Sequence, residues 1–459
     1  MSYILGFFDI LSNLGASVMM PIIIFVIALC LGTGFGKALK AGLTMGVAFI
    51  GINLVINLLG NTIGPAAQQM VENLNLNLNI LDVGWPTAAQ IAFSTKVGAI
   101  IIPVCLLVNV VMLIFNLTQT ADIDIWNFWQ LAFTGSLVAI VTSSVTLGLL
   151  AAVCEFVIAL VLADLTADKI AKVTKMDGIS FPHTMTVVLA SISFVVDKII
   201  DKIPGLNKID INAKKMEEKL GVLGDPLIIG FVIGLVIGIL AYGIKAYDKY
   251  LLIAITLGAT LVLIPAMAKY FGESLTPISE RAQVIVNKKF KNRGKIYIGM
   301  DAAVALGNST TIATALILTP IIILLALIVP HNQFLPFADL GSAPYIMALI
   351  VPMCNENAFR SLLIAISMMA IGVLLSTAIA PVFTQAALSA SYQLPEGFSL
   401  VSCISNASTP LNYILVKVSE IFRSYGAAIF FAVTSLVCAV ANGIRIRKQV
   451  KQSKEISEN

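Results

Sequence analysis

The chain has 459 residues, 58% of them hydrophobic and only 12% charged, with a formal net charge of +4. A soluble globular domain carries roughly 25% charged residues, so an ordinary water-facing surface is excluded, and no folded basic domain is present to bind nucleic acid. At about 20 apolar residues per crossing, the composition predicts an all-α polytopic membrane protein lying in the lipid bilayer.

In chain order, apolar runs at 14–33, 41–63, 97–117, 128–144 and 146–163 predict five crossings; those at 227–243, 250–268, 309–329, 341–354, 361–383 and 426–443 predict six more. The total is about eleven transmembrane helices, of which 341–354 is the shortest. Residues 1–443 form the membrane-embedded part, with approximate halves 1–226 and 227–443, and 444–459 form a basic cytoplasmic tail. Met1–Phe8 has no basic start and no small-residue cleavage site, so no cleaved signal is expected.

Basic residues sort the ends. Lys169, Lys172 and Lys175, the charged stretch 197–226, the cluster from Arg281 to Lys295 and the tail Arg445–Lys454 belong in the cytoplasm by the positive-inside bias. Eleven crossings then leave the N-terminus outside, and Lys245 and Lys249 face outward.

Four stretches between these runs are too polar or too short to cross: Leu81–Thr95, Gly178–Val196, Gly299–Ser309 and Val401–Leu411. Their Gly, Pro, Asp, Asn and Ser residues break helices and supply hydrogen-bonding groups. Such backbone survives at membrane depth only where protein or a water-filled cavity surrounds it. Re-entrant hairpins lining a solute site meet that condition; surface loops are the alternative. An internal repeat is faintly visible: Met20–Leu29 matches Thr319–Leu327, and Thr62–Gln69 matches Ala378–Gln385. Repeats of inverted topology are common in transporters.

Ionisable groups at membrane depth are costly and mark solute paths. His183, in Phe-Pro-His-Thr, can hydrogen-bond a hydroxyl or move a proton near neutral pH. Asp301 can act as general base toward a substrate hydroxyl or cap the helix that follows it; Asp82 has the same two readings. Trp85 offers an apolar face to a carbon skeleton. In Asp-Ile-Asp-Ile-Trp-Asn-Phe-Trp-Gln, Trp126 and Trp129 read as interfacial belt residues, while Asn127 and Gln130 share a helical face and read as ligands. Asn406 and Thr409 add short polar groups. His331 reads as a surface-loop residue. The six scattered cysteines read as buried thiols rather than a metal or disulfide framework. No phosphate-loop or His-Glu-x-x-His pattern is present, and no cofactor or metal is expected.

Several long stretches resemble the galactitol-type IIC components of the bacterial phosphotransferase system: GLTMGVAFIGINLVI, IGPAAQQMVENLNLNLNILDVGWP, DIDIWNFWQLAFTG, GISFPH, IDKIPGLNKI, IGMDAAVALGN, NQFLPFADL and SNASTP. The ascorbate-type IIC proteins are similar at greater distance. The resemblance implies a permease of the bacterial cytoplasmic membrane that takes a polyol or sugar from outside. A IIB partner, phosphorylated on cysteine by IIA, then phosphorylates that solute. The chain is thus the membrane subunit of a multi-component sugar phosphotransferase. The resemblance places His183 and Asp301 at substrate hydroxyls, and Asp82, Trp85 and Asn127 within matched motifs. The distant relatives imply a homodimer whose core slides as an elevator against a scaffold. Departures from the family pattern fall at Thr184, where Gly is expected, at Gln130, where His is expected, and across Cys403–Thr409; all bear on which sugar is taken. The rival class is an ion-coupled secondary transporter.

Overall fold

The computed structural model describes residues 16–73, 78–122, 124–209, 225–289, 296–394 and 398–458. The elements are α1 (Ala16–Cys30), α2 (Phe35–Asn73), β1 (Ile80–Asp82), α3 (Gly84–Ser94), α4 (Lys96–Ile114), β2 (Thr120–Asp122), α5 (Phe128–Thr142), α6 (Val145–Thr174), β3 (Ile179–Ser180) and α7 (Thr184–Ile200). There follow α8 (Pro226–Tyr242), α9 (Tyr247–Lys289), β4 (Tyr297–Gly299), a 3-10 turn (Ala302–Gly307), α10 (Ser309–Ile328), β5 (Phe334–Leu335), α11 (Ala343–Met353), α12 (Ala358–Ser389), β6 (Leu400–Ser402) and α13 (Pro410–Glu458).

The molecule is mostly helical but not all-α, which corrects the sequence expectation. Its short strands form two parallel three-stranded sheets, ordered β5-β1-β6 and β2-β4-β3. The cause is the backbone: where Asp, Gly and Pro interrupt helices deep in an apolar body, exposed N–H and C=O groups must still be paired. Three breaks meeting side by side satisfy one another. Each strand is followed within a few residues by a helix or 3-10 turn. There are therefore six breaks rather than four, because those at Thr120–Asp122 and Phe334–Leu335 also leave the helical path.

Among the described residues, five helices are long and apolar enough to cross a membrane: 96–114, 145–174, 310–328, 358–389 and 410–452. The runs 128–144 and 341–354, read above as full crossings, are instead helices of 15 and 11 residues that follow breaks. At 1.5 Å per residue the shorter covers only about 16 Å, half of a hydrocarbon core of about 30 Å. Residues 444–458 continue α13 as helix. The charged residues 210–224 and the basic residues 290–295 lie outside the described residues, as does 1–15.

Contacts along α6 fix the path of the β3–α7 break. Thr120 Oγ1 meets both Asp164 Oδ1 (2.7 Å) and Ser180 Oγ (2.9 Å), so β3 lies beside the last third of α6. Thr184, at the start of α7, faces Glu155 near the middle of α6. Phe194, farther along α7, sits under Lys169 near the end of α6 (4.9 Å from Nζ to the ring centroid). The chain therefore runs in along β3, turns at His183, and returns along α7 to the end of α6 from which it came. Residues 178–196 thus fold back on themselves, with His183 at the turn. At the far end Arg360 on α12 binds Asp197 (3.1 Å) and Asp201 (2.6 Å), pinning α7 to the second half. Its hydrogen bond holds the Asp201 carboxyl below the usual range.

The six cysteines are free thiols; four are buried, Cys438 is partly covered, and Cys30 is exposed.

Candidate substrate site

Two aspartate pairs stitch the strand ends. In the first sheet, Asp82 accepts from the backbone N–H of Gly84 (2.9 Å) and of Asp339 (2.7 Å). Asp339 in turn accepts from the N–H groups of Trp85 (2.9 Å), Ile404 (2.8 Å) and Ser405 (2.8 Å). The turns after β1, β5 and β6 thus share one carboxylate. In the second sheet, Asp124 accepts from Trp126 N–H (3.3 Å) and Asp301 N–H (3.1 Å). The pairs then differ: the Asp339 carboxylate is committed to backbone, whereas that of Asp301 approaches His183 Nε2 at 3.8 Å.

All six breaks converge on one small cavity. Trp85 comes from the turn after β1; Trp126, Trp129 and Gln130 follow β2; His183 and Met185 follow β3. Asp301 follows β4, Ser342 and Tyr345 follow β5, and Ser405 follows β6. The chain has only three tryptophans, and all three line this cavity. Trp85 is the hub of an aromatic wall, with ring centroids 6.1 Å from Trp126, 6.4 Å from Trp129 and 6.3 Å from Tyr345. Tyr345 also stacks on the His183 ring.

The polar side has a defined donor–acceptor order. Met185 N–H donates to Gln130 Oε1 (3.0 Å), which turns the Gln130 amide nitrogen toward His183 Nε2. An amide nitrogen only donates, so Nε2 accepts and the proton rests on Nδ1. Nδ1 in turn meets Thr186 Oγ1 (3.1 Å), whose own proton goes to the His183 carbonyl (3.1 Å). The imidazole is held as one tautomer, with Nε2 facing Gln130 and Asp301.

The sequence-derived candidates divide accordingly. His183, Asp301, Gln130 and Trp85 line the cavity. Asp82 does not; both its carboxylate oxygens bind backbone, and it does not cap α3, whose N-cap is Val83. Asn127 donates to Asp122 Oδ1 (3.2 Å), Asn406 Nδ2 donates to the Gln130 carbonyl (3.2 Å), and Thr409 Oγ1 donates to the Ser405 carbonyl (3.2 Å). These three stand behind the lining rather than in it. The cap of α10 is Asn308 rather than Asp301. Trp126 and Trp129 are 8% and 2% exposed, so the belt reading is corrected: they are buried by the breaks around them. His331 is exposed in a turn, as expected. Asp339 and Tyr345 were missed. The visible signal for Asp339 was its setting in Phe-Ala-Asp-Leu-Gly, an Asp two residues before a Gly, like Asp82.

Comparison with known proteins agrees with this architecture. Residues 9–397 match the family described as PTS system sugar-specific permease component. The chain belongs to that family. It is 36% identical over 407 residues to the "PTS system galactitol-specific EIIC component" of Escherichia coli K12, covering 88% of this chain and 89% of that protein. The protein of the same name from Escherichia coli O157:H7 matches equally. A "Putative permease IIC component" of strain K12 is 37% identical over 399 residues, covering 87% and 90%. As a phosphotransferase-system permease, the chain is an integral membrane protein.

Proposed function

We propose that this permease imports galactitol or a closely related hexitol and presents one of its hydroxyls for phosphorylation. The observation that carries the reading is the cavity itself. An aromatic wall suited to the C–H faces of a polyol stands opposite a His–Gln–Asp set suited to its hydroxyls. Galactitol is the specificity named for two relatives that match most of the chain. Asn127, Asn406, Thr409 and Asp82 support that set from behind.

In this reading the substrate hydroxyl takes the place of the Gln130 amide at His183 Nε2 and lies beside Asp301. A phosphocysteine of the cytoplasmic IIB partner, itself charged by IIA, supplies the phosphoryl group. The hydroxyl oxygen bonds to phosphorus as the S–P bond breaks, and the hydroxyl proton passes to the His183–Asp301 pair. The sulfur leaves as thiolate, which recovers a proton from solvent. Because all three tryptophans border the cavity, binding has a direct readout. Galactitol added to the detergent-purified protein is expected to change tryptophan emission saturably, with a non-polyol of similar size inert. Emission unaffected by galactitol and by other hexitols would contradict the reading.

The order of elements supports an inverted repeat, in a register different from the sequence matches. Matching α1–α2 with α8–α9, β1 with β4, α4 with α10, β2 with β5, α5–α6 with α11–α12, and β3 with β6 converts the order β5-β1-β6 into β2-β4-β3. The helix caps follow the same rule: Thr95 on α4 answers to Asn308 on α10, and Ser144 on α6 to Asn357 on α12. In this register α1 is the counterpart of α8, not of α10 as the match of Met20–Leu29 with Thr319–Leu327 implied. Helices α1, α2, α8 and α9 would form the scaffold, and the six breaks with their helices the moving core.

A further inference from the structure

Behind the cavity, Glu155 on α6 is 0% exposed. Its carboxyl faces the hydroxyls of Thr134 on α5 and Thr184 at the start of α7. Both threonines are buried too, yet none of these oxygens completes a hydrogen bond of full geometry. Among the described residues no salt bridge to Glu155 is formed. A buried carboxyl without a cationic partner is expensive to keep, and residues of this kind at membrane depth are default candidates for function.

Position says what this one does. Thr134 lies one turn beyond Gln130, on the same face of α5. Thr184 directly follows His183. The Gln130 carbonyl already accepts from Asn406, and Thr134 Oγ1 makes no bond back to it, so the hydroxyl is left for Glu155. One carboxyl therefore reaches both elements whose side chains meet at the Gln130–His183 contact.

We infer that Glu155 is a positioning residue: it ties Thr134 to Thr184 and so holds Gln130 and His183 in register at the reacting end of the cavity. The inference rests on the phosphoryl-acceptor reading above. Glutamine can make the same two-sided contact, accepting through its carbonyl and donating through its amide, whereas leucine fills the space and makes neither.

The test measures sugar phosphate formed by membrane vesicles bearing the full chain, with IIA and phosphorylated IIB supplied, for wild type, Glu155→Leu, Glu155→Gln and Thr184→Val. Glu155→Leu is expected to lower the maximal rate by roughly 10–100-fold, the scale of a displacement of about 1 Å. KM should move by less than about threefold, since the aromatic wall is unchanged. Glu155→Gln should recover most of the lost rate. Thr184→Val should lose about tenfold, and it carries the comparison if Glu155→Leu fails to reach the membrane. A leucine variant at wild-type rate, a glutamine variant as impaired as leucine, or a Thr184→Val variant with no loss would each overturn the inference. Wild type forming no phosphate ester would instead remove the reading on which it rests.

Discussion

His183 is fixed by its neighbours more than by its own sequence context. Gln130 and Thr186 choose its tautomer, and Tyr345 covers its face. His183→Ala is expected to abolish phosphorylation-coupled uptake while membrane insertion, followed by immunoblotting of washed membranes, stays normal; unimpaired uptake would remove His183 from the site. Trp85→Ala removes the hub of the aromatic wall. It should raise KM by roughly 10–100-fold with a much smaller change in maximal rate, since the wall binds the ground and transition states alike; an equal fall in rate would assign Trp85 a part in the chemistry. At this scale the sequence was informative where a residue type is rare in lipid. His183, Asp301 and Gln130 stood out because polar groups there need a reason. It was poor at separating lining from support: Asp82 and Asp301 sit in similar Asp–Gly settings, and only their partners show that one carboxylate serves backbone and the other the cavity.

Elements carry the next level of the account. Asp339 joins three turns through three backbone N–H groups at 2.8–2.9 Å. Asp339→Ala leaves those donors unpaired in a dry interior, at a cost of about 1–3 kcal/mol each. The expected result is a clear drop in thermal stability in detergent, larger than for His183→Ala; equal melting temperatures would show that the turns do not depend on Asp339. The backbone is strained at Arg423, where α13 kinks at φ 50°, ψ −150°. A residue with a Cβ is disfavoured at this backbone geometry, so Arg423→Gly should preserve or raise the melting temperature, and Arg423→Val should lower it. Hydropathy found the long helices because α4, α6, α10 and α12 are continuous apolar runs. It misread α5 and α11 because a run of apolar residues reports burial, not length of crossing: α11 is covered on every side by protein, as its buried Ile346–Val351 show. Two- and three-residue strands leave no period to detect.

For the whole molecule, the inverted repeat proposed above pairs elements other than those the sequence matches paired, and apolar segments resemble one another through composition alone. An exposed apolar stripe on α2 (Leu39, Leu43, Val47, Ile50, Leu54 and Leu58) supports placing the scaffold against lipid or a second copy. A homodimer, as implied by the resemblance to the ascorbate-type proteins, predicts a purified particle with twice the mass of one chain by light scattering after correction for detergent, and a monomer would contradict it. The central claim, coupled import and phosphorylation of a hexitol, is tested most directly by the chemical form of labelled galactitol inside cells that express this chain with its IIA and IIB partners. The account predicts galactitol phosphate, and its loss when IIB is omitted. Unmodified galactitol that accumulates without IIB and disappears when the proton gradient is collapsed would contradict it.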